Sequence, residues 1–263
     1  MRLLLSVFFV MSIIPLVLAQ AGRSDYLGTQ AAGKKGIIYS KETTFDITPH
    51  TKGFALGMSF GKIRTYYKTY FYKLEIGELR HPREQRQSFD LQSFNGKVSK
   101  SFVFGKQNSL YVIRGSYGLK RYYSEKAKER GLAVGTTFSV GPTLGLLKPY
   151  YLELIRRQID NPVAINIVAE KYSESNKSLF LDTDAIYGGT GLTKGWGEIK
   201  VSPGVHFKSA LLLDWGAFDE MIKSVEIGVM ADLFLRPVPI MVTQDNSPLF
   251  LNFYLNLQLG KRK

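Results

Sequence analysis

The chain has 263 residues, a formal net charge of +13 and no cysteine. The missing thiols exclude disulfides, cysteine-linked lipid anchors and thiolate-held metals. The basic excess calls for an anionic partner, and 44% hydrophobic residues with 25 glycines suit a packed single domain rather than a disordered chain.

Met1 to Ala19 predicts an export signal. Arg2 precedes the apolar run Leu3 to Leu18, and Val17-Leu18-Ala19 offers small or short residues before Gln20, as a signal peptidase requires. A membrane anchor helix would need about 20 apolar residues, and Pro15 interrupts this run. Residues 20–35 read as a flexible lead-in, and 36–263 as one domain undivided by any Pro/Ser-rich linker.

Eight segments then show period-two alternation with one face far more apolar than the other. The first, Gly36 to Ile47, is ambiguous because Lys41 and Glu42 fall on opposite faces. In Gly53 to Gly61, Phe54, Leu56, Met58 and Phe60 oppose Ala55, Gly57 and Ser59. From Thr69 to Gly77, Tyr70, Tyr72, Leu74 and Ile76 oppose Lys73 and Glu75. Segments 109–121 and 132–145 set Tyr111, Ile113, Tyr117 and Leu119, then Val134, Phe138, Val140 and Leu144, against Arg114, Ser116 and Gly118, then Gly135, Thr137, Ser139 and Gly141. Segment 203–214 opposes Val205, Phe207, Leu211 and Leu213 to His206, Lys208 and Ala210. Segment 225–235 opposes Val225, Ile227, Val229 and Leu233 to Glu226, Gly228 and Asp232. In the last, Leu249, Leu251, Phe253, Leu255, Leu257 and Leu259 alternate without a break against Asn252, Tyr254, Asn256 and Gln258.

An even number of strands of about 9–11 residues predicts an all-β fold, a closed antiparallel transmembrane β-barrel of eight strands. Placing the apolar sets outward leaves Lys73, Arg114 and Lys208 facing Glu75, Glu226 and Asp232 inside, with His206 beside them. An eight-stranded barrel has room only for side chains, so Gly57, Gly77, Gly118, Gly135, Gly141 and Gly228 are expected to make space for the long charged ones. In a soluble barrel holding an apolar ligand the polarity would be reversed.

The connections divide into short turns (Lys62 to Thr65, Tyr123 to Arg130, Trp215 to Lys223) and loops at the other end (Thr48 to Lys52, Arg80 to Asn108, Leu146 to Ser202, Arg236 to Pro248). That asymmetry suits periplasmic turns, periplasmic termini and external loops. Tyr150 to Ile159 or Val163 to Lys171 would form a short helix or prolong the strands. Tyr66, Tyr67, Tyr122 and Tyr123 suit an aromatic girdle. Lys62, Arg64, Lys120, Arg121, Lys126, Lys128, Arg130 and the tail Lys261 to Lys263 would face anionic lipid head groups on the turn side. Arg80, Arg83, Arg86, Lys97 and Lys100 would lie near lipopolysaccharide phosphates on the other. Export and the lack of a basic-aromatic stripe argue against nucleic acid.

Gly141-Pro-Thr-Leu-Gly-Leu-Leu-Lys-Pro-Tyr-Tyr-Leu-Glu153, Arg236-Pro-Val-Pro-Ile-Met241 and Leu259-Gly-Lys-Arg-Lys263 resemble uncharacterised outer-membrane β-barrel proteins of Bacteroidetes-type bacteria. The resemblance implies location and fold and carries over no catalytic residue.

Catalytic signals are thin. Of the three histidines, His50 and His81 fall in loops, and His206 reads as a hydrogen-bonded interior residue rather than a base. Gly188, Gly189 and Gly191 lack the context of a phosphate loop and read as turn residues, and Asp182-Thr-Asp184 is weak evidence for calcium. No metal or cofactor is expected. The role expected is structural or interaction-based; a lipid-modifying enzyme and a secreted soluble barrel with a small apolar ligand are the alternatives.

Overall fold

The structure, a computed structural model, describes residues 39–88, 99–124, 131–157, 165–191, 193–215, 219–243 and 245–263. The expected signal and lead-in lie outside them, as do Lys97, Lys126, Lys128 and Arg130. Eight strands close into an antiparallel barrel: β1 (Lys41–His50), β2 (Gly53–Thr65), β3 (Lys68–Leu79), β6 (Asn108–Tyr122), β7 (Ala133–Pro149), β11 (Lys200–Asp214), β12 (Met221–Phe234) and β13 (Leu249–Arg262). Each pairs with its neighbours along the chain, and β1 closes the ring on β13 from Glu42 opposite Arg262 to His50 opposite Tyr254. Closure leaves no barrel strand with an open edge.

All eight predicted strands form, because each carries the alternation that a two-faced strand requires. On β13 every odd residue from Leu249 to Leu259 is exposed, Phe253 by 71%, while Phe250, Asn252, Tyr254, Asn256 and Gln258 are buried. The ambiguous β1 follows the same rule. Glu42, Thr44, Asp46 and Thr48 face inward, and Phe45 and Ile47 face outward.

The glycines depart from expectation in what they accommodate. A Cβ on Gly57 would strike Glu75 Cγ at 2.7 Å, so this one does make room for a charged side chain. On Gly118 it would meet the Phe71 ring at 2.4 Å, and on Gly141 the backbone oxygen of Gly115 at 1.8 Å. At Gly141 the strands themselves approach too closely for a side chain, next to Pro142, which offers no N–H to the ladder. Gly141→Ala is therefore expected to destabilise the fold by about 1–3 kcal/mol through overpacking, seen as a lower midpoint of urea unfolding.

At the long-loop end a second layer forms. β8 (Tyr151–Arg157) continues almost directly from β7 and pairs with β9 (Ile165–Lys171) on one side and β10 (Ile186–Gly189) on the other. Among the described residues of these two stretches no helix forms; they are strands, and β8, although it follows β7 after one residue, pairs within a separate three-stranded sheet rather than with the barrel. Its core is Phe102, Leu152, Leu154, Phe180 and Ile186, apolar positions too few and too scattered in sequence to announce a sheet. Gly188 and Gly189 are not turn residues but strand residues of β10, paired with Glu153 and Leu152, and a Cβ on either would run into the backbone of Lys100 or Ser101. β4 (Arg86–Gln87) and β5 (Phe102–Val103) form a small two-stranded sheet beside this layer.

Candidate functional site

The barrel interior concentrates the polar chemistry of the molecule, stacked in levels along the axis. Nearest the short turns, Lys120 of β6 donates to Glu42 Oε1 at 2.9 Å and to Gln258 Oε1 at 3.1 Å. Arg262 of β13 donates to Asp214 Oδ2 at 2.9 Å and lies 3.7 Å from Glu42. Tyr122 donates its phenol to the same Asp214 at 2.8 Å. Strands β1, β6, β11 and β13 meet in this knot. It corrects the sequence reading of Lys120, Arg262 and Tyr122, which places them at the lipid boundary; at the strand ends the alternation still runs inward, and partners there hold the charges.

One level further, Lys73 lies 3.5 Å from Asp46 and 3.8 Å from Glu75, and Lys208 donates to Glu75. Glu226 accepts from Thr137 and from Asn256, both at 2.9 Å. Arg114 grips Asp232 with two parallel bonds, Nε to Oδ1 at 2.7 Å and Nη2 to Oδ2 at 2.9 Å. This planar, charge-assisted fork is the strongest single contact type available to a buried guanidinium. All of these side chains are buried; their ion pairs and hydrogen bonds offset part of the cost of desolvating them, while Glu75 Oε1 and Arg114 Nη1 find no hydrogen-bond partner among the described residues.

His206 sits between two hydroxyls, Ser116 on Nε2 and Thr143 on Nδ1, each at 2.8 Å. A serine beside a histidine is the beginning of a nucleophilic pair. Both ring nitrogens, however, are engaged by hydroxyls rather than one by a carboxylate, and the residue is only 2% exposed. What remains is a hydrogen-bonded core residue.

Above this polar column the lumen is apolar, which differs from the wholly polar interior that the sequence reading expects. Leu79, Leu110, Val112, Leu147, Phe234 and Phe250 line the barrel wall, and Val238, Ile240 and Met241 from the loop before β13 pack against them. That loop is fixed by Asn246, whose Oδ1 accepts from the Ile240 and Met241 amides at 2.9 and 3.2 Å. This apolar seal, buried next to the ion pairs, lowers the local dielectric in which those pairs sit.

Outside the seal, Lys106 donates to Glu84 at 2.7 Å and lies over the Tyr150 ring at 5.6 Å. Burial raises the Tyr150 phenol above its ordinary pKa. In the three-stranded sheet a two-pronged bond from Arg156 holds Glu170 below the usual carboxylate range. Asp182 caps a single turn through the Asp184 amide at 3.1 Å, and no cluster able to hold a metal occurs among the described residues. His50 ends β1, and His81 accepts from the Arg83 amide at 3.3 Å; neither is joined to His206.

The structure thus brings Lys73, Glu75 and Lys208 together and joins Arg114 to Asp232, while Glu226 is held by neutral partners. Sequence reasoning missed Glu42, Asp46, Lys120, Asp214 and Arg262. The inward parity of Glu42, Thr44, Asp46 and Thr48 was the available signal for the first two.

No protein-family model and no curated protein matches the chain. Among solved structures, the crystal structure of Neisserial surface protein A (NspA) matches 85% of this chain and 93% of its own, at 8% identity and a TM-score of 0.32.

Proposed function

We propose that this chain is an exported outer-membrane barrel, with both termini periplasmic, that acts as a structural or interaction protein through its long-loop end and conducts no ions. The observation that carries this reading is the polarity of the wall: every barrel strand turns large apolar residues outward, while the hydrogen-bonded and salt-bridged side chains are gathered in the lumen below its apolar mouth. In water such a belt would be an aggregation surface; in lipid it is the required solution. A soluble ligand-binding barrel needs the opposite polarity and is disfavoured by the same observation.

The resemblance of residues 141–153, 236–241 and 259–263 to Bacteroidetes-type barrels is part of this proposal, as is the meeting of the loop residues Arg80, Arg83, Arg86, Lys97 and Lys100 with lipopolysaccharide phosphates. A lipid-modifying activity finds no support in His206, which is buried and engaged by Ser116 and Thr143 at its two ring nitrogens. Mass analysis of lipid A from a deletion strain, expected unchanged, tests that alternative.

Localisation is tested by fractionation. The chain should partition with outer membranes and show heat-modifiable migration; recovery in the soluble fraction would refute the reading. In planar bilayers the purified barrel should give no steady channel, because an eight-stranded lumen is filled by side chains and this one is closed by the Glu42 knot, the Glu75 level and the Ile240 seal. Stable porin-sized conductance would show that those levels open.

A further inference from the structure

We propose a specific site for an anionic glycerophospholipid on the outer wall of the barrel at the short-turn end, where β1, β2, β3 and β6 run side by side. A groove of about 640 Å³ there is lined by Lys41, Lys62, Arg64, Tyr70, Tyr72 and Tyr117, with Phe60 beside them. The strand register builds it. Lys41 stands opposite Lys62, and Lys62 opposite Tyr70, which makes a cationic rung. The adjacent rung is aromatic: Phe60 opposite Tyr72, and Tyr72 opposite Tyr117. Tyr72 is 66% exposed, and its ring lies 5.0 Å from that of Tyr117, which in turn stacks 6.2 Å from Tyr70.

Two observations assign a ligand to this groove. Lys41, Lys62 and Arg64 have no ion pair among the described residues. The carboxylate that neighbours Lys41 in the chain, Glu42, is turned into the lumen and held by Lys120 and Arg262. At the same end Lys261 is already matched by Glu220 at 2.7 Å. The three cations are thus an unneutralised cluster at the border of the apolar belt, where Phe45, Met58 and Leu74 continue outward-facing from the aromatic rung. A small soluble anion would have no use for the aromatic rung and the apolar residues beyond it. An amphipathic one fits both parts, with its phosphodiester on the three cations, its glycerol against Tyr72 and Tyr117, and an acyl chain along Met58 and Leu74. Three positive charges without a carboxylate favour a net-anionic head group of the phosphatidylglycerol class over a zwitterionic one, whose ammonium they would repel.

The inference rests on the barrel being in a bilayer, and the test separates the two. The full barrel is reconstituted into nanodiscs of equal phosphatidylglycerol and phosphatidylcholine, and the lipids it retains are measured by native mass spectrometry. Wild type should retain phosphatidylglycerol preferentially. Each neutralised cation should cost about fivefold in that preference, the effect of one basic residue at an anionic surface, so Lys41→Gln/Lys62→Gln/Arg64→Gln should abolish it. Lys41→Arg/Lys62→Arg should keep it, and Lys223→Gln, an outward cation elsewhere on the same end, should leave it unchanged. Should the triple variant misfold on the heat-modifiability gel, protection of Lys41 and Lys62 from acetylation in wild type by phosphatidylglycerol, but not phosphatidylcholine, decides the matter. A barrel that inserts yet shows no such preference or protection overturns the site and leaves the membrane reading intact; failure to insert overturns the membrane reading.

Discussion

Arg114→Met is expected to destabilise the refolded barrel by about 3–5 kcal/mol, the cost of stranding one partner of a buried ion pair. The stranded group is Asp232, whose two oxygens both accept from the guanidinium. A double-mutant cycle should therefore place the coupling on Asp232. Arg114→Met with Asp232→Leu should recover much of the single-variant loss, because a matched apolar pair leaves no bare charge in the core. Coupling to Glu226 should be near zero, since Thr137 and Asn256 already satisfy that carboxylate. Coupling to Glu75 should be intermediate, because Lys208 and Lys73 are its direct partners. Urea titration of folded and unfolded gel bands measures all four corners of each cycle. Strict additivity of Arg114 with Asp232 would refute the pair.

Leu255→Arg should cost about 2–4 kcal/mol if the outward face of β13 meets lipid near the bilayer midplane, falling to about 0–1 kcal/mol near the interfaces. Leu255 lies well inside the outward run from Leu249 to Leu259, and Leu249 at its end. The same substitution at Leu249 is therefore the control. The depth dependence is the informative part, because a merely exposed position on a soluble barrel would accept arginine equally at both sites. Refolding into liposomes followed by heat-modifiable migration reads the difference, and equal tolerance at Leu249 and Leu255 would refute the lipid-facing assignment.

The alternation on β13 makes both its faces legible from the residues alone, and the inward placement of Arg114, Lys208 and Asp232 follows from parity with apolar neighbours. Parity does not say which inward residue meets which. Arg114 and Asp232 are far apart in the chain, and by parity either Glu75 or Glu226 is an equally good partner; the order of strands around the ring and their stagger fix the levels. Lys120, Tyr122 and Arg262 depart from their sequence reading for a related reason. Charged and aromatic residues at a strand end look alike whether they snorkel outward to head groups or turn inward to a carboxylate. The difference is made by Glu42 and Asp214, which sit on strands distant in sequence.

The loop elements mark the sharper boundary. Val238, Ile240 and Met241 stand in a Pro-rich stretch with no strand period, and nothing local distinguishes an external loop from a plug; only the unfilled apolar mouth formed by Leu79, Val112, Phe234 and Phe250 gives those side chains somewhere to be buried. By itself the sequence determined the number of barrel strands, which residues share a face and that charge lies within, because period two is a property of the backbone alone. The pairing of the interior charges, the seal above them and the sheet beyond the barrel were decided by tertiary structure, because each depends on distances between segments that only closure of the ring brings into contact.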